Sequence, residues 1–166
     1  MLRQIPGILG AVVVLTVLCG PASAQDRTAR LRSRFQSESD PVARAKLMPQ
    51  LGESEFQAIR KSVEAGRIQE ALSVLRQYRD EAQLCENELD ARKTNAEKHP
   101  AGFKQLQISL RESLRRLNEI SAGLTADDQA AFAPMRNDLD EMNRHLVQEL
   151  FPREQTPGPP PDKEKH

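Results

Sequence analysis

The chain has 166 residues, with 24 basic side chains balanced by 24 acidic ones and no tryptophan. That balance excludes the strong basic excess of a general nucleic-acid binder. One tyrosine and five phenylalanines are too few for a base-stacking or sugar-stacking surface.

The first 24 residues fall into three zones. Arg3 is followed by an apolar run over 8–19, then by the small or helix-breaking residues of 20–24. This layout is that of a secretory signal peptide, with Ala22-Ser23-Ala24 as the cleavage triplet and Gln25 as the first mature residue. The apolar run falls well short of the roughly 20 residues a membrane span needs, and no later segment comes closer. Cys19 is a rival handle, as the acylated residue of a lipoprotein, but Leu18 precedes it where a small residue is wanted. The expectation is an exported chain, periplasmic or extracellular after cleavage. Losing Arg3 leaves 23 basic residues against 24 acidic ones, a formal charge of −1. Cys85 is then the lone cysteine, so no internal disulfide can form.

The basic segment 25–39, with Arg27, Arg30, Arg32 and Arg34, is expected to be a short, loosely attached helix or flexible. Its arginines read as solvated, or in loose contact with an anionic envelope surface. Asp40-Pro41 is a helix start: the aspartate caps free N–H groups and the proline fits the first turn. Val42, Ala45, Met48, Phe56, Ile59 and Val63 then predict a helix over 41–65. Pro49 would cost about 3 kcal/mol inside it, and with Gly52 nearby a kink or break is expected there.

Gly66 closes that helix. Ile68, Leu72, Leu75, Tyr78, Ala82, Cys85 and Leu89 form one stripe of a helix over 67–98, ended by the turn 99–102. Phe103, Leu106, Leu110, Leu114, Leu117 and Ile120 predict a third helix over 103–122, stopped at Gly123. Thr125, with Asp128 three residues on, opens a fourth over 126–150. Its stripe is Phe132, Met135, Leu139, Met142, Leu146 and Leu150, with a kink expected at Pro134. The sequence REQTPGPPPDKEKH, the last part of 152–166, has no apolar periodicity and reads as a proline-rich disordered tail. No segment alternates like a strand. The fold class is therefore all-α: an elongated up-and-down bundle of about four long antiparallel helices over 40–151, plus a short N-terminal one.

Three resemblances add to this. VEAGRIQEALSVLRQY, 63–78, resembles the turn between the helices of a tetratricopeptide repeat, with Gly66 as its glycine and Ala71, Leu72 and Leu75 as packing residues. No second copy occurs, so it implies a tight hairpin and nothing of peptide binding. Leu124-Thr125 with Gln129 is similar to the Leu-Thr-x-x-Gln signature of Spy-type periplasmic chaperones, its glutamine one position late. That resemblance implies a small exported helical protein binding unfolded clients or metal. KHPAGFKQLQ (98–107), SLRRL (113–117) and LFPR (150–153) resemble a group of uncharacterised exported helical proteins from Acidobacteria, which carries over no site.

Candidate sites each have a plainer reading. Cys85, a potential redox or metal thiol, sits on the stripe between Ala82 and Leu89, where a buried structural cysteine is expected; an intermolecular disulfide is the alternative. Asp138, Glu141, His145 and Glu149 share one side of the last helix, as ligands of a divalent cation would. Bundle metal sites draw matching ligands from other helices, including Glu-x-x-His pairs, which this chain lacks; His99 and His166 lie in a turn and at the terminus. A solvated acidic flank is the plainer account. Lys104, Arg111 and Arg115, with Ile108 among them, form a basic stripe expected to pair with Glu86, Glu88 and Asp90 across an antiparallel hairpin, an anion- or headgroup-binding face being the alternative. No phosphate loop, nucleophile elbow or HExxH occurs. The expected function is non-enzymatic and without cofactor: contact with an unknown protein partner in a bacterial envelope, no nucleic acid, a second copy of the chain remaining open as a partner. The alternative is a chaperone-like or envelope-stress protein.

Overall fold

The computed structural model describes residues 22–152, with side chains from residue 27 onward. Residues 1–21 and 153–166, which hold most of the expected leader and tail including Cys19 and His166, lie outside the described residues. Helices run in the order α1 (Ala22–Ser37), α2 (Pro41–Ala45), α3 (Met48–Glu64), α4 (Ile68–Ala91), α5 (Phe103–Ser121) and α6 (Ala126–Leu150). Among the described residues there is no strand, and no helix is long and apolar enough to cross a membrane. The fold is all-α, with the four long helices α3 to α6 spanning about 26–38 Å each at 1.5 Å per residue.

Local chemistry sets the breaks. Asp40 caps α2, its carboxylate accepting the Ala43 N–H at 2.9 Å. The helix expected over 41–65 is two helices, because the chain breaks at Lys46-Leu47 and restarts with Pro49 in the first turn of α3. There the missing proline N–H is no loss. Gly52 is no breaker. It lies buried inside α3, and a Cβ on it would meet the Tyr78 ring at 3.1 Å and its hydroxyl at 3.2 Å. The glycine is there because an aromatic ring lies on the helix backbone.

Gly66, at φ +70°, closes α3 with Arg67 N–H to Ser62 O at 2.8 Å and Gly66 N–H to Val63 O at 2.9 Å. This is the paired closure of a Schellman turn, which needs the left-handed residue. Helix α4 ends at Ala91, short of the expected Lys98, because Lys93 turns left-handed at φ 52°. In the 92–102 connection Ala96 is buried. Gly102, at φ +90°, leaves so little room that a Cβ would lie 2.7 Å from Leu89 Cδ2. Gly123 does follow the end of α5, but without a left-handed conformation; hydrogen bonds from Gly123 N–H to Ile120 O and Leu124 N–H to Ser121 O tighten the last turn instead. Helix α6 continues through Pro134.

Packing follows from two hairpins, α3/α4 and α5/α6, laid side by side so that α3 flanks α5 and α4 flanks α6. The α4/α6 contact is parallel: Arg79–Asp138 and His145–Glu86 join residues with the same separation of 59 along the chain. Helices α4 and α5 are antiparallel, as expected, but they meet across the diagonal, with Tyr78 of α4 reaching Ser109 and Ser113 of α5. The core between the four carries every apolar stripe inward, including Leu51, Ile59, Leu75, Leu89, Leu106, Leu110, Leu117 and Leu139. Phe56 stands edge-on to Tyr78, with ring centroids 5.3 Å apart. Helix α1 packs against α3, and α2 against α4 and α5. The attachment of α1 is firmer than expected, since Phe35 is 1% exposed.

Candidate functional site

The acidic ladder of α6 divides when its neighbours are added. Asp138 accepts a hydrogen bond from Arg79 of α4 at 2.8 Å. His145 Nδ1 lies 2.9 Å from Glu86 Oε1 and 4.0 Å from Asp90 Oδ2, and its Nε2 lies 3.9 Å from Glu149 Oε1. The hydrogen bond to Glu86, helped by the charges of Asp90 and Glu149, raises the imidazole above its ordinary pKa. Burial raises the Asp90 carboxyl in turn, His145 opposing. Gln83 closes the other side, donating to Glu86 Oε2 at 2.9 Å. Gln83, Glu86, Asp90, Asp138 and His145 line an open groove of about 570 Å³ between α4 and α6, with Glu141 and Arg144 on its α6 side. His145 and Glu86 thus tie two parallel helices. Among the described residues no three His, Cys, Asp or Glu side chains converge as a metal ion requires.

The expected pairing of Lys104, Arg111 and Arg115 with Glu86, Glu88 and Asp90 does not form. The diagonal placement of α4 and α5 turns the α4 carboxylates toward α2 and α6 and leaves the basic stripe of α5 facing water. Arg115 pairs with Glu112 and Glu119 on its own helix, and its hydrogen bond draws Glu112 down to about 2. Glu86 and Asp90 face His145, and Glu88 binds Arg44. Lys104, Arg111 and Ile108 are exposed. Cys85 is fully buried and burial pushes its thiol up to about 12, so the folded chain presents no thiolate for exchange. Leu124-Thr125 with Gln129 builds a helix start: Thr125 caps Asp128 N–H, and Gln129 Nε2 donates to Ser121 O and Leu124 O, each at 3.1 Å.

Two polar sites were missed by sequence reasoning. In the first, Ser113 donates to the Tyr78 hydroxyl at 2.7 Å and Ser109 lies 3.1 Å from it. All three are buried, and burial raises Tyr78 to about 12. The second lies where α1 meets α3 and α4. Arg32 of α1 bonds Glu55 Oε1 on α3, and its Nε donates to Glu81 Oε1 on α4 at 3.1 Å. Glu55 is fully buried and Glu81 nearly so. Arg32 is therefore no solvated arginine, in contrast to the exposed Arg27, Arg30 and Arg34. Burial first, then the charge of Glu81, lifts Glu55 to about 8 against the pull of Arg32. Glu81 is raised too, by burial. The signal was present: Glu55 lies four residues from both Leu51 and Ile59, and Glu81 four from Cys85, so each carboxylate sits inside an apolar stripe.

At the foot of the same region Arg44 ties α1 to α2. Its Nε donates to Phe35 O at 3.2 Å, it also bonds Glu38 O, and its guanidinium lies 5.7 Å from the Phe35 ring centroid. No known family pattern, no characterised protein and no solved structure matches the chain.

Proposed function

We propose that the chain is an exported, non-enzymatic helical protein that acts through protein–protein contacts in the bacterial envelope. The leader-like layout of residues 1–24 supports the export half. Cleavage after Ala24 would remove only the first three residues of α1, which begins at Ala22, and would keep Arg32 and Phe35.

One observation carries the contact half: the apolar stripes of α3 to α6 face one another, while the outer surface presents charged side chains paired both within helices and between them. The groove between α4 and α6 is walled by side chains already bonded to each other, His145 to Glu86 and Gln83 to Glu86. Such a surface suits recognition of another macromolecule's charges, and its distribution sets partner choice more than affinity. Expression of the full chain in a Gram-negative host, followed by fractionation and intact-mass measurement, tests the assignment. A mature chain beginning at Gln25 in the periplasmic or envelope fraction is expected. A cytoplasmic chain that retains residues 1–24 overturns it.

A further inference from the structure

Among the described residues four large apolar side chains are exposed: Leu84, Ile108, Val147 and Phe151. One alone needs no explanation, but three of them share one edge of the bundle. Gln107 of α5 donates to Asn143 of α6 at 3.1 Å, which fixes the register of that antiparallel pair. One turn on towards the end of α6, Val147 comes beside Lys104. Phe151 follows another turn later, its N–H donating to Val147 O at 2.9 Å, and it is 71% exposed. Ile108 stands on the outer stripe of α5, between Lys104 and Arg111.

The charges of this edge are one-sided. Lys104 and Arg111 are exposed and form no ion pair among the described residues. Arg136 of α6, also exposed, donates to the neutral Asn118 of α5 at 2.9 Å. Lys104, Arg111 and Asn118 follow one another at steps of seven residues, so the three cations stand roughly 10 Å apart along the edge. The carboxylate on this side of α6, Asp140, is already bonded to Arg144 at 3.1 Å. Glu86, Asp90 and Glu141 lie round the other side of α6, in the groove.

We propose that the outer edge of α5 and α6 rests on an anionic phospholipid surface. Lys104, Arg111 and Arg136 meet the phosphates, while Ile108, Val147 and Phe151 enter the boundary between headgroups and acyl chains. The occupant follows from charge complementarity and from shape. A protein partner anchors its central side chains in pockets, yet none of these three apolar residues lines the α4/α6 groove. They stand on the outward ridges of two helices, where a flat surface reaches all of them at once. The contact is peripheral, because the buried stripes of α5 and α6 stay in the core. It adds a lipid surface to the protein contacts proposed above and does not depend on them.

The chain has no tryptophan, so an indole placed on the edge reports its own surroundings. Full-length Phe151→Trp is mixed with vesicles of phosphatidylglycerol and phosphatidylcholine, and with vesicles of phosphatidylcholine alone. Leu84→Trp is the reference, since Leu84 is exposed on α4, diagonally across the core from α5. Emission from Phe151→Trp should move to shorter wavelength with the anionic vesicles only, and that from Leu84→Trp should not move. Adding Lys104→Ala/Arg111→Ala to Phe151→Trp should weaken the affinity read from that shift by at least about tenfold. An unmoved emission at Phe151→Trp overturns the proposal, as does an equal shift on phosphatidylcholine alone or at Leu84→Trp. An affinity that the alanines leave unchanged overturns it too. A shift with polyglutamate and none with vesicles assigns the edge to an acidic protein, which is likewise a refutation. Comparing two positions in one chain separates the edge from any vesicle binding by residues 1–24, and fractionation decides the envelope assignment independently.

Discussion

Two buried polar clusters share helix α4 within a single turn, and they are opposites. At Tyr78 neutral groups meet in matching numbers: one phenol, two serine hydroxyls, and a glycine backbone at Gly52 that the ring covers. At Glu81 the groups are ionisable, with two carboxyl groups sharing one guanidinium that arrives from outside the four-helix core, and burial keeps a proton on Glu55 up to about pH 8. A satisfied neutral network adds specificity at little desolvation cost, whereas a charged one must recover a desolvation penalty of several kcal/mol per ion. The first cluster therefore locks α3, α4 and α5 together, and the second makes the attachment of α1 conditional.

Removing Tyr78 should break the comparison most heavily. Tyr78→Ala empties a fully buried ring site and should destabilise the fold by about 3–5 kcal/mol, read as a shift in the urea midpoint. Tyr78→Phe keeps the ring and leaves Ser109 and Ser113 short of a partner, for a loss of about 1–2 kcal/mol. Gly52→Ala approaches the same cluster from α3. Its Cβ would stand 3.1 Å from the ring, so the usual helix gain of alanine over glycine should be reversed into a loss of about 1–3 kcal/mol. A gain in thermal midpoint for Gly52→Ala would show that Tyr78 is not held against α3.

The charged cluster should announce itself through pH. Glu55 faces Arg32 from α1 and Glu81 and Tyr78 from α4. Its folded pKa, about 8, lies above the ordinary 4.5, so between those values the folded state holds a proton that the unfolded chain has released. Stability is then full below about 4.5 and falls as pH rises towards 8, with a slope of up to about 1.4 kcal/mol per pH unit. Glu81 is raised as well and acts in the same direction. Glu55→Gln should flatten this fall in denaturation curves taken from pH 5 to pH 8. An unchanged slope would show that Glu55 is hydrated.

The four long helices and their stripes were legible because each apolar side chain repeats at helical spacing, and burial follows that spacing at Leu75, Leu110 and Leu139. Turns at Gly66 and caps at Asp40 and Thr125 were legible for the same local reason. Interhelical pairing was not. Lys104, Arg111 and Arg115 were matched to Glu86, Glu88 and Asp90 on the premise that consecutive helices lie edge to edge. The 92–102 connection instead carries α5 across the diagonal, where only core residues of α4 and α5 meet. A sequence fixes which residues face inward on each helix, but the neighbour of a flank depends on which helix is set beside it. Arg32 illustrates this: it was indistinguishable from Arg30 and Arg34 until Glu55 and Glu81 were placed beneath it.

The smallest effect belongs to the α4/α6 groove, a third kind of polar contact that is neither buried like Glu55 nor neutral like Tyr78. His145 is partly exposed, and Glu86 beneath it is buried. The hydrogen bond that the ring donates to Glu86 raises the imidazole pKa, so the folded state holds the proton more tightly than the unfolded chain. The contribution is complete below the unfolded value of about 6.5 and is lost as pH rises through the folded one. Solvent screening at this exposure keeps it to about 1 kcal/mol or less. His145→Gln should therefore lower the thermal midpoint slightly at pH 5.5 and leave it unchanged at pH 9. An equal loss at both pH values would mean that the ring is held by packing against α4, and that its charge contributes nothing to joining the parallel helices.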